Sequence, residues 1–197
     1  MSFRIEYKLF INKENVNQFK SFLFKKNTKR LYETRNVESL YFDNKNKDMF
    51  NDSIEGLTPR KKIRIRYYPK SKSKDLNLEK KISSVEGRFK LSKKINQKIF
   101  KKIKRQGIYD SQYGWCHPLI LVTYKREYFK LGNTRITIDN NINYKNFDNS
   151  SIKKDKDIIV EIKSNFLDQL ENIQKKFPFQ NIRFSKYCNG VSVFFNV

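Results

Sequence analysis

The sequence predicts an α+β protein, and three observations lead to this fold class. About eight segments alternate between charged and apolar residues with the two-residue period of a strand, whereas three segments place apolar residues at helical spacing. With 197 residues, of which 38% are hydrophobic, the chain can bury the core of one domain. Because no stretch rich in glycine or proline divides it, we expect a single domain over residues 1–197, with its elements between residues 3 and 195.

The first half of the chain is predicted to contain one helix and five strands. Residues 3–11 alternate as a strand, and Lys13–Lys26 has the apolar spacing of a helix. A loop containing Gly56 and Pro59 separates the second strand from the third. The four remaining strands are predicted at 38–42, 60–68, 76–83 and 86–91.

The second half begins with a very basic segment, 92–106, which has the apolar spacing of a helix and ends before Gly107. Strands are predicted at 119–129 and 134–139, and Gly132-Asn133 suits the hairpin turn between them. After a polar loop, we expect a strand at 157–163, a helix at 165–176, and either a strand or a helix at 184–195.

Five of the predicted strands have one charged face and one apolar face. Side chains two residues apart share a face, so Lys62, Arg64 and Arg66 lie opposite Ile63 and Ile65. A Glu-x-Lys unit recurs on such strands at Glu6/Lys8, Glu79/Lys81 and Glu161/Lys163. Two architectures fit this pattern. One is an antiparallel sheet with a solvated face, and the other is a barrel with its charged faces inward and three amphipathic helices outside.

The balance of charge predicts a polyanionic partner, since 43 Lys and Arg against 20 Asp and Glu give a net charge of +23. Lysine is common throughout the chain, whereas six arginines fall in or beside the charged strands: Arg4, Arg60, Arg64, Arg66, Arg126 and Arg135. Guanidinium groups bind phosphate oxygens in bidentate fashion, and carboxylates among them suit a divalent cation. We therefore expect the arginines to bind a phosphate chain together with a metal ion.

Other features limit the cell compartment and the kind of metal site. Cys116 and Cys188 match no metal-binding spacing, and the single His117 excludes a histidine-rich site. Free cysteines favour a reducing compartment. The N-terminus has no apolar core of a signal peptide, and the longest aliphatic run, Leu119–Val122, is far below the ~18 residues of a membrane span. We expect a soluble, cytoplasmic protein.

Eight short motifs follow one another over nearly the whole chain. They are Glu6-x-Lys8, Ser39-Leu40-Tyr41-Phe42-Asp43, Arg60-x-Lys62-Ile63-Arg64-Ile65-Arg66, Leu78-Glu79-x-Lys81, Tyr124-x-Arg126-x-Tyr128, Arg135-x-Thr137-x-Asp139, Glu161-x-Lys163 and Ser185-Lys186-Tyr187. In this order they resemble the catalytic domain of the vacuolar transporter chaperone (VTC) polyphosphate polymerases, within the CYTH-like triphosphate tunnel metalloenzyme superfamily. The resemblance implies a closed eight-stranded antiparallel β-barrel, a tunnel, with helices packed outside.

The same resemblance implies an activity and a set of site residues. The family reaction transfers the γ-phosphoryl group of ATP to a growing polyphosphate chain and depends on Mn²⁺ or Mg²⁺. The substrate-binding residues implied by position are Lys8, Arg60, Lys62, Arg64, Arg66, Lys81, Arg126, Arg135, Lys163, Ser185 and Lys186. Of these, Arg64, Arg66 and Lys186 are expected to be catalytic. Glu161 resembles the metal ligand, while Glu6 and Glu79 either bind the metal as well or orient neighbouring cations through salt bridges.

Two other functions remain open at this point. A hydrolase of the same fold would cleave a triphosphate with a water that Glu6 or Glu79 could activate. A noncatalytic module would bind polyphosphate or nucleic acid, although nucleic acid is not expected, because aromatic residues among basic ones occur only at Tyr67-Tyr68. Fungal polymerases of this type also carry a sensing domain and membrane spans. We expect product export, if any, to need a separate membrane partner.

Several motif residues allow two interpretations. Ser39, Tyr41 and Asp43 are either plain strand and turn residues or residues that define the fold or the tunnel mouth. Tyr124 and Tyr128 suit packing better than nucleotide stacking. The basic helix 92–106 is either a solvated face or a surface that guides polyphosphate.

Overall fold

A computed structural model of the chain describes residues 5–71, 75–164 and 182–195, together with Glu171, Ile173 and Lys175. The chain divides into two compact units. One contains Met1–Asn36, Tyr124–Ile142 and Asp155–Phe184, and the other contains Val37–Thr123, Asn143–Lys154 and Ser185–Val197. No helix within the described ranges has both the length and the apolar character needed to cross a membrane.

Ten strands and four helices have their bounds within the described residues. The strands are β1 (Ile5–Ile11), β2 (Lys29–Asp43), β3 (Arg60–Tyr67), β4 (Leu76–Ser84), β5 (Gly87–Ile95), β6 (Ile108–Asp110), β7 (Gly114–Leu131), β8 (Thr134–Asn146), β9 (Ile152–Lys154) and β10 (Ile158–Ser164). The helices are α1 (Lys13–Lys25), α2 (Asp48–Glu55), α3 (Gln97–Gln106) and α4 (Lys186–Phe195). The predicted α+β class is therefore confirmed.

The strands form an antiparallel sheet in the order β1-β10-β8-β7-β2-β3-β4-β5, with β6 paired to β7 and β9 paired to β8. Along the part of the chain that the structure describes, no pairing joins β1 to β5. The expected closure of the sheet into an eight-stranded barrel is thus not confirmed.

In the first unit, the apolar faces of the strands pack against α1. Leu9 lies opposite Val160, which lies opposite Ile138, so these three side chains form a row across β1, β10 and β8. Phe19 and Leu23 of α1 are fully buried in the same cluster, because positions three and four apart form one stripe along a helix. The strict alternation then places the next row, which contains Lys8 and Glu161, on the opposite face.

In the second unit, β3 shows the alternation that the sequence predicted. Ile63 and Ile65 are fully buried. The residues between them face the other side, where Arg64 lies between Tyr41 of β2 and Glu79 of β4 in the strand register. This row of one phenol, one guanidinium and one carboxylate is the centre of a candidate site.

Helix α2 is an element that the sequence did not predict, since its segment was expected to be loop. It is short, and its capping group, the carboxylate of Asp43, comes from the end of β2 rather than from the residue before the helix. The backbone N–H groups of Met49 and Phe50 each donate to Asp43 at 3.1 Å. Gly56 ends the helix in the left-handed conformation, with φ of 82°.

The prediction that the basic helix starts at residue 92 is wrong, because residues 92–95 belong to β5. Ile95 pairs with Leu76 across the β4–β5 hairpin, and this long-range pairing outweighs the local helical spacing. Helix α3 begins after Asn96, whose side chain accepts a hydrogen bond from the Ile99 N–H at 2.9 Å.

Other boundaries also differ from those expected. Strands β2, β7 and β8 extend beyond 38–42, 119–129 and 134–139, and the short strands β6 and β9 were not predicted. The added segment 140–146 of β8 does alternate, with Ile142 and Tyr144 buried between polar residues, but its many asparagines favour a loop in the sequence. The C-terminal segment, which could have been either element, is helix α4. The predicted helix 165–176 lies outside the described residues, except for Glu171, Ile173 and Lys175, which are helical.

Candidate active site

The hydrophilic strand faces carry two clusters of charged side chains, one in each unit. The first cluster consists of Glu6 and Lys8 on β1, Arg126 on β7, Asp139 on β8, and Glu161 and Lys163 on β10. The second cluster consists of Ser39 and Tyr41 on β2, Lys62, Arg64 and Arg66 on β3, Glu79 on β4, and Lys90 on β5.

In the first cluster, one lysine joins two carboxylates. The register of β1 and β10 pairs Glu6 with Lys163 and Lys8 with Glu161. Lys163 Nζ lies 3.1 Å from Glu6 Oε2 and 2.7 Å from Glu161 Oε1. Lys8 Nζ lies 3.5 Å from Glu6 Oε1 and donates to the Phe184 carbonyl at 2.9 Å. The two Glu-x-Lys motifs, Glu6/Lys8 and Glu161/Lys163, therefore meet on adjacent strands.

Arg126 is held rigidly beside these residues. Its Nε and Nη2 atoms donate to the two carboxylate oxygens of Asp139 at 2.5 and 2.6 Å, and Nη2 lies 3.6 Å from Glu161 Oε2. Burial opposes ionisation of Glu161, but the charges of Arg126 and Lys163 outweigh it and hold the Glu161 pKa well below its usual range. Glu161 is therefore a carboxylate at neutral pH.

The oxygen atoms of the first cluster suit the coordination of a divalent cation that binds together with a phosphate substrate. The hydroxyl of Thr137, which lies opposite Glu161 in the register, is buried without a hydrogen-bond partner, as judged from the described residues. Within those same ranges, no three His, Cys, Asp or Glu residues form a metal-binding group. Mg²⁺ and similar ions commonly use one or two carboxylates and complete their shell with water and substrate oxygens. Glu161 and Glu6 suit that arrangement.

In the second cluster, Arg64 is fixed from two sides. Its Nε donates to Glu79 Oε2 at 2.6 Å, and its Nη1 donates to the Tyr41 hydroxyl at 2.9 Å. Glu79 Oε1 also lies 2.5 Å from Lys90 Nζ. Burial opposes ionisation of Glu79, but Arg64 and Arg66, with hydrogen bonds from Lys90 and Arg64, lower its pKa to about 2.

Positive charge dominates around Tyr41. Burial alone would raise the pKa of this phenol, but the charges of Arg64, Arg66 and Lys186 lower it below its ordinary value. Arg66 Nε donates to the Ser39 hydroxyl at 3.3 Å. The serine and the tyrosine of the Ser-Leu-Tyr-Phe-Asp motif thus each hold one arginine of β3 in place.

The aspartate of that motif stabilises the fold. Asp43, which is 2% exposed, accepts a hydrogen bond from the Tyr187 hydroxyl in addition to those from α2. The Tyr187 ring stacks on Tyr41, with 5.2 Å between ring centroids. Burial raises the Asp43 pKa, although the Tyr187 hydrogen bond acts in the opposite direction. Through these contacts the Ser-Leu-Tyr-Phe-Asp motif meets the Ser-Lys-Tyr motif that contains Tyr187. Sequence spacing did not reveal this contact.

Three further predicted substrate-binding residues, Arg60, Lys81 and Arg135, lie on the same strands as cluster residues. Arg60 Nη1 donates to the carbonyls of Gly56 and Leu57 at 3.1 and 2.7 Å. Lys81 and Arg135 are exposed. In the strand register Lys81 lies between Lys62 and Lys90, and Arg135 lies opposite Lys163. Ser185, which was predicted together with Lys186 in the C-terminal segment, accepts a hydrogen bond from Lys62 Nζ at 2.9 Å.

The sequence predicted no role for two site residues, Lys90 and Asp139. Lys90 lies within the predicted strand 86–91, but this segment has no Glu-x-Lys unit to mark its charged face. Asp139 was noted within a motif but received no role, although its spacing from Arg135 placed it on the charged face. The structure makes Asp139 the anchor of Arg126 and makes Lys90 the second partner of Glu79.

The chain resembles known proteins over nearly all of its length. A family model of the VTC domain matches residues 3–195. A candidate adenylate cyclase from Bacillus halodurans is 13% identical, with a TM-score of 0.66 over 99% of this chain and 100% of that one. A candidate adenylyl cyclase from Hippeastrum, described as having a dominant triphosphatase activity, is 13% identical, with a TM-score of 0.60 over 97% and 96% of the two chains. A protein from Pyrococcus horikoshii is 14% identical, with a TM-score of 0.57 over 90% and 92%. No curated protein matches.

Proposed function

The chain belongs to the VTC domain family, and from this membership we propose that it is a metal-dependent polyphosphate polymerase. It transfers the γ-phosphoryl group of ATP to the end of a growing polyphosphate chain and releases ADP. The family and the fold support an enzyme that acts on triphosphates, and the polymerase activity is the more specific part of the proposal. The same proposal includes a single domain, a closed eight-stranded tunnel and a cytoplasmic location. ATP and reduced cysteines occur together in the cytoplasm.

The observation that carries the proposal is that each cluster holds an arginine in a fixed orientation among other cations. Asp139 holds Arg126 through two hydrogen bonds, and Glu79 with Tyr41 holds Arg64. Phosphoryl transfer depends mainly on positioning and on neutralising negative charge, so cations whose geometry is set before the substrate arrives suit it. A terminal phosphate is already ionised at neutral pH, so chain extension needs no general base.

The roles follow from the contacts in each cluster. Lys8 and Lys163 offer ammonium groups for phosphate oxygens, and Glu6 and Glu161 keep these groups close to one another. When bound, Mn²⁺ or Mg²⁺ would neutralise charge on the transferred phosphoryl group. Glu161 is the residue that we expect to hold it, with Glu6 as its neighbour.

In the second cluster, Arg64 and Arg66 bind the phosphate chain, with Lys62 and Lys186 supplying further positive charge. Arg60, Lys81, Arg135 and Ser185 stay predictions of substrate contact. The predicted metal contact of Glu79 also stays a prediction, while its two ion pairs support the alternative role of orienting cations.

A second candidate is hydrolysis of a bound triphosphate. It is favoured by one observation, the fold likeness to a protein that is described as having a dominant triphosphatase activity. Glu6 is only partly buried, so it could hold the attacking water.

The test is to incubate the protein with ATP and Mn²⁺ or Mg²⁺ and to separate polyphosphate, ADP and free phosphate. We expect polyphosphate, with one ADP for each phosphate added. Free phosphate without polymer would identify a hydrolase, and unchanged ATP would identify a noncatalytic binding module. A preparation of Glu161→Gln serves as the inactive reference, and Glu33→Gln, at an exposed position, is the matched control.

A further inference from the structure

One segment of the second unit combines high positive charge with exposed apolar side chains. Residues 87–106, which we call the basic surface, comprise β5, Asn96 and α3 and contain no Asp or Glu. Their cations are Arg88, Lys90, Lys93, Lys94, Lys98, Lys101, Lys102, Lys104 and Arg105. Among the residues that the structure describes, ion pairs engage Lys90 with Glu79 and Lys94 with Asp75. Most of this charge therefore faces solvent.

Apolar side chains lie beside some of these cations. Phe89 and Leu91 share one face of β5 with Lys93 and are 44% and 59% exposed, whereas Arg88, Lys90 and Lys94 lie on the opposite face. Val85 in the preceding turn is 91% exposed. In α3, none of whose residues is buried, Ile99 is 40% exposed. Such a mixture is typical of a surface that contacts an apolar as well as an anionic environment.

Three occupants can be compared by their chemistry. A second copy of the chain would bring two acid-free cationic segments together, which like-charge repulsion opposes. A soluble polyanion such as polyphosphate would neutralise the lysines and leave Phe89 and Leu91 in water. A lipid bilayer with anionic headgroups offers both kinds of contact, because lysine stems cover apolar surface while their ammonium groups reach phosphates.

We propose that the basic surface binds an anionic lipid bilayer, with Phe89 and Leu91 entering the headgroup region. Lys93 of β5 and the cations of α3 supply the attraction to the membrane, and the apolar side chains supply contact that salt does not screen. This proposal is independent of the enzyme activity, because Phe89, Leu91, Lys93 and the cations of α3 all lie outside the two clusters.

The first experiment measures co-sedimentation of the full chain with vesicles. We expect binding to vesicles of phosphatidylcholine and phosphatidylglycerol in equal parts, and none to phosphatidylcholine alone. The triple variant Lys98→Gln/Lys101→Gln/Lys102→Gln should bind about 100-fold more weakly, since each cation near an anionic surface contributes about fivefold to partitioning. The matched control is Lys153→Gln/Lys154→Gln/Lys156→Gln, which removes the same charge from other exposed positions and should bind nearly as the wild type.

A second variant tests the apolar contact. Phe89→Thr/Leu91→Thr keeps the charge and the strand propensity, and it should weaken vesicle binding at least about tenfold while leaving polyphosphate retention unchanged. Its unfolding midpoint in urea should match that of the wild type, because both side chains are exposed. Three results would overturn the proposal: no binding to anionic vesicles, equal losses in the two lysine variants, or wild-type vesicle binding by the threonine variant.

Discussion

Glu79 offers the most direct test of how the second cluster is organised. In Glu79→Gln, the carboxylate that contacts Arg64 and Lys90 is replaced by a neutral amide of the same shape. Glu79 is 3% exposed and Arg64 is 5% exposed, so the substitution leaves a buried guanidinium without its counter-ion. Loss of one partner of a buried pair destabilises proteins by about 3–5 kcal/mol.

The lowered pKa gives an independent magnitude. Folding shifts the Glu79 pKa from its ordinary value of 4.5 to about 2, so the ionised carboxylate contributes about 3 kcal/mol to the free energy of unfolding at neutral pH. Because the folded-state pKa is the lower one, this contribution is present above pH 4.5 and is lost as pH falls towards 2. The difference between wild type and variant should shrink to about 2 kcal/mol near pH 3.5.

Urea unfolding at a series of pH values measures this difference, since acid effects from other carboxylates are common to both proteins. The matched control is Glu86→Gln, at an exposed position in the β4–β5 turn, which should change stability little. Equal stability of Glu79→Gln and wild type at neutral pH would refute the buried ion pair. A difference that does not change with pH would refute the assigned pKa.

Three further predictions follow from the contacts in the two clusters. Glu161→Gln should keep polyphosphate binding but lose at least about 100-fold in metal-dependent turnover, measured as polyphosphate formed, because a neutral amide holds a hard cation much more weakly than a carboxylate does. Arg66→Ala should weaken polyphosphate binding about tenfold to 100-fold with little loss of stability, whereas Arg64→Ala should also lower the free energy of unfolding by about 3 kcal/mol. Tyr187→Phe should cost about 1–3 kcal/mol in urea unfolding, because buried Asp43 loses a donor.

Each of these variants has a control at an exposed position. Glu33→Gln, Arg35→Ala and Tyr109→Phe remove the same group where it is exposed. Full metal-dependent turnover of Glu161→Gln would show that another residue holds the metal. Wild-type affinity of Arg66→Ala would remove this arginine from the binding site. A Tyr187→Phe variant as stable as Tyr109→Phe would mean that the contact with Asp43 contributes nothing.

The sequence by itself determined the strand faces. The alternation of Lys62, Arg64 and Arg66 with Ile63 and Ile65 is a local property with a period of two, so it identifies both faces without knowledge of the partner strand. The ordered motifs, from Glu6 to Tyr187, likewise identified the family, and the family match over residues 3–195 confirms it.

The pairing of those faces was decided by the tertiary structure. Tyr41, Arg64 and Glu79 form one row because the registers of β2, β3 and β4 align them, although 23 residues separate the first two and 15 the last two. A shift of one residue in either register would turn every side chain of one strand to the other face. Spacing along the chain therefore left open whether Glu79 binds a metal ion or forms a salt bridge with a basic side chain.

Element boundaries show the same division. Local spacing favoured a helix from residue 92, but pairing with β4 keeps residues up to Ile95 in a strand. Asp43 and Tyr187 lie 144 residues apart, and their hydrogen bond joins the end of β2 to α4. Local patterns report which surface a side chain prefers, whereas its partner depends on long-range packing, and for this reason only the tertiary structure identified the partners of Arg64, Arg126 and Asp43.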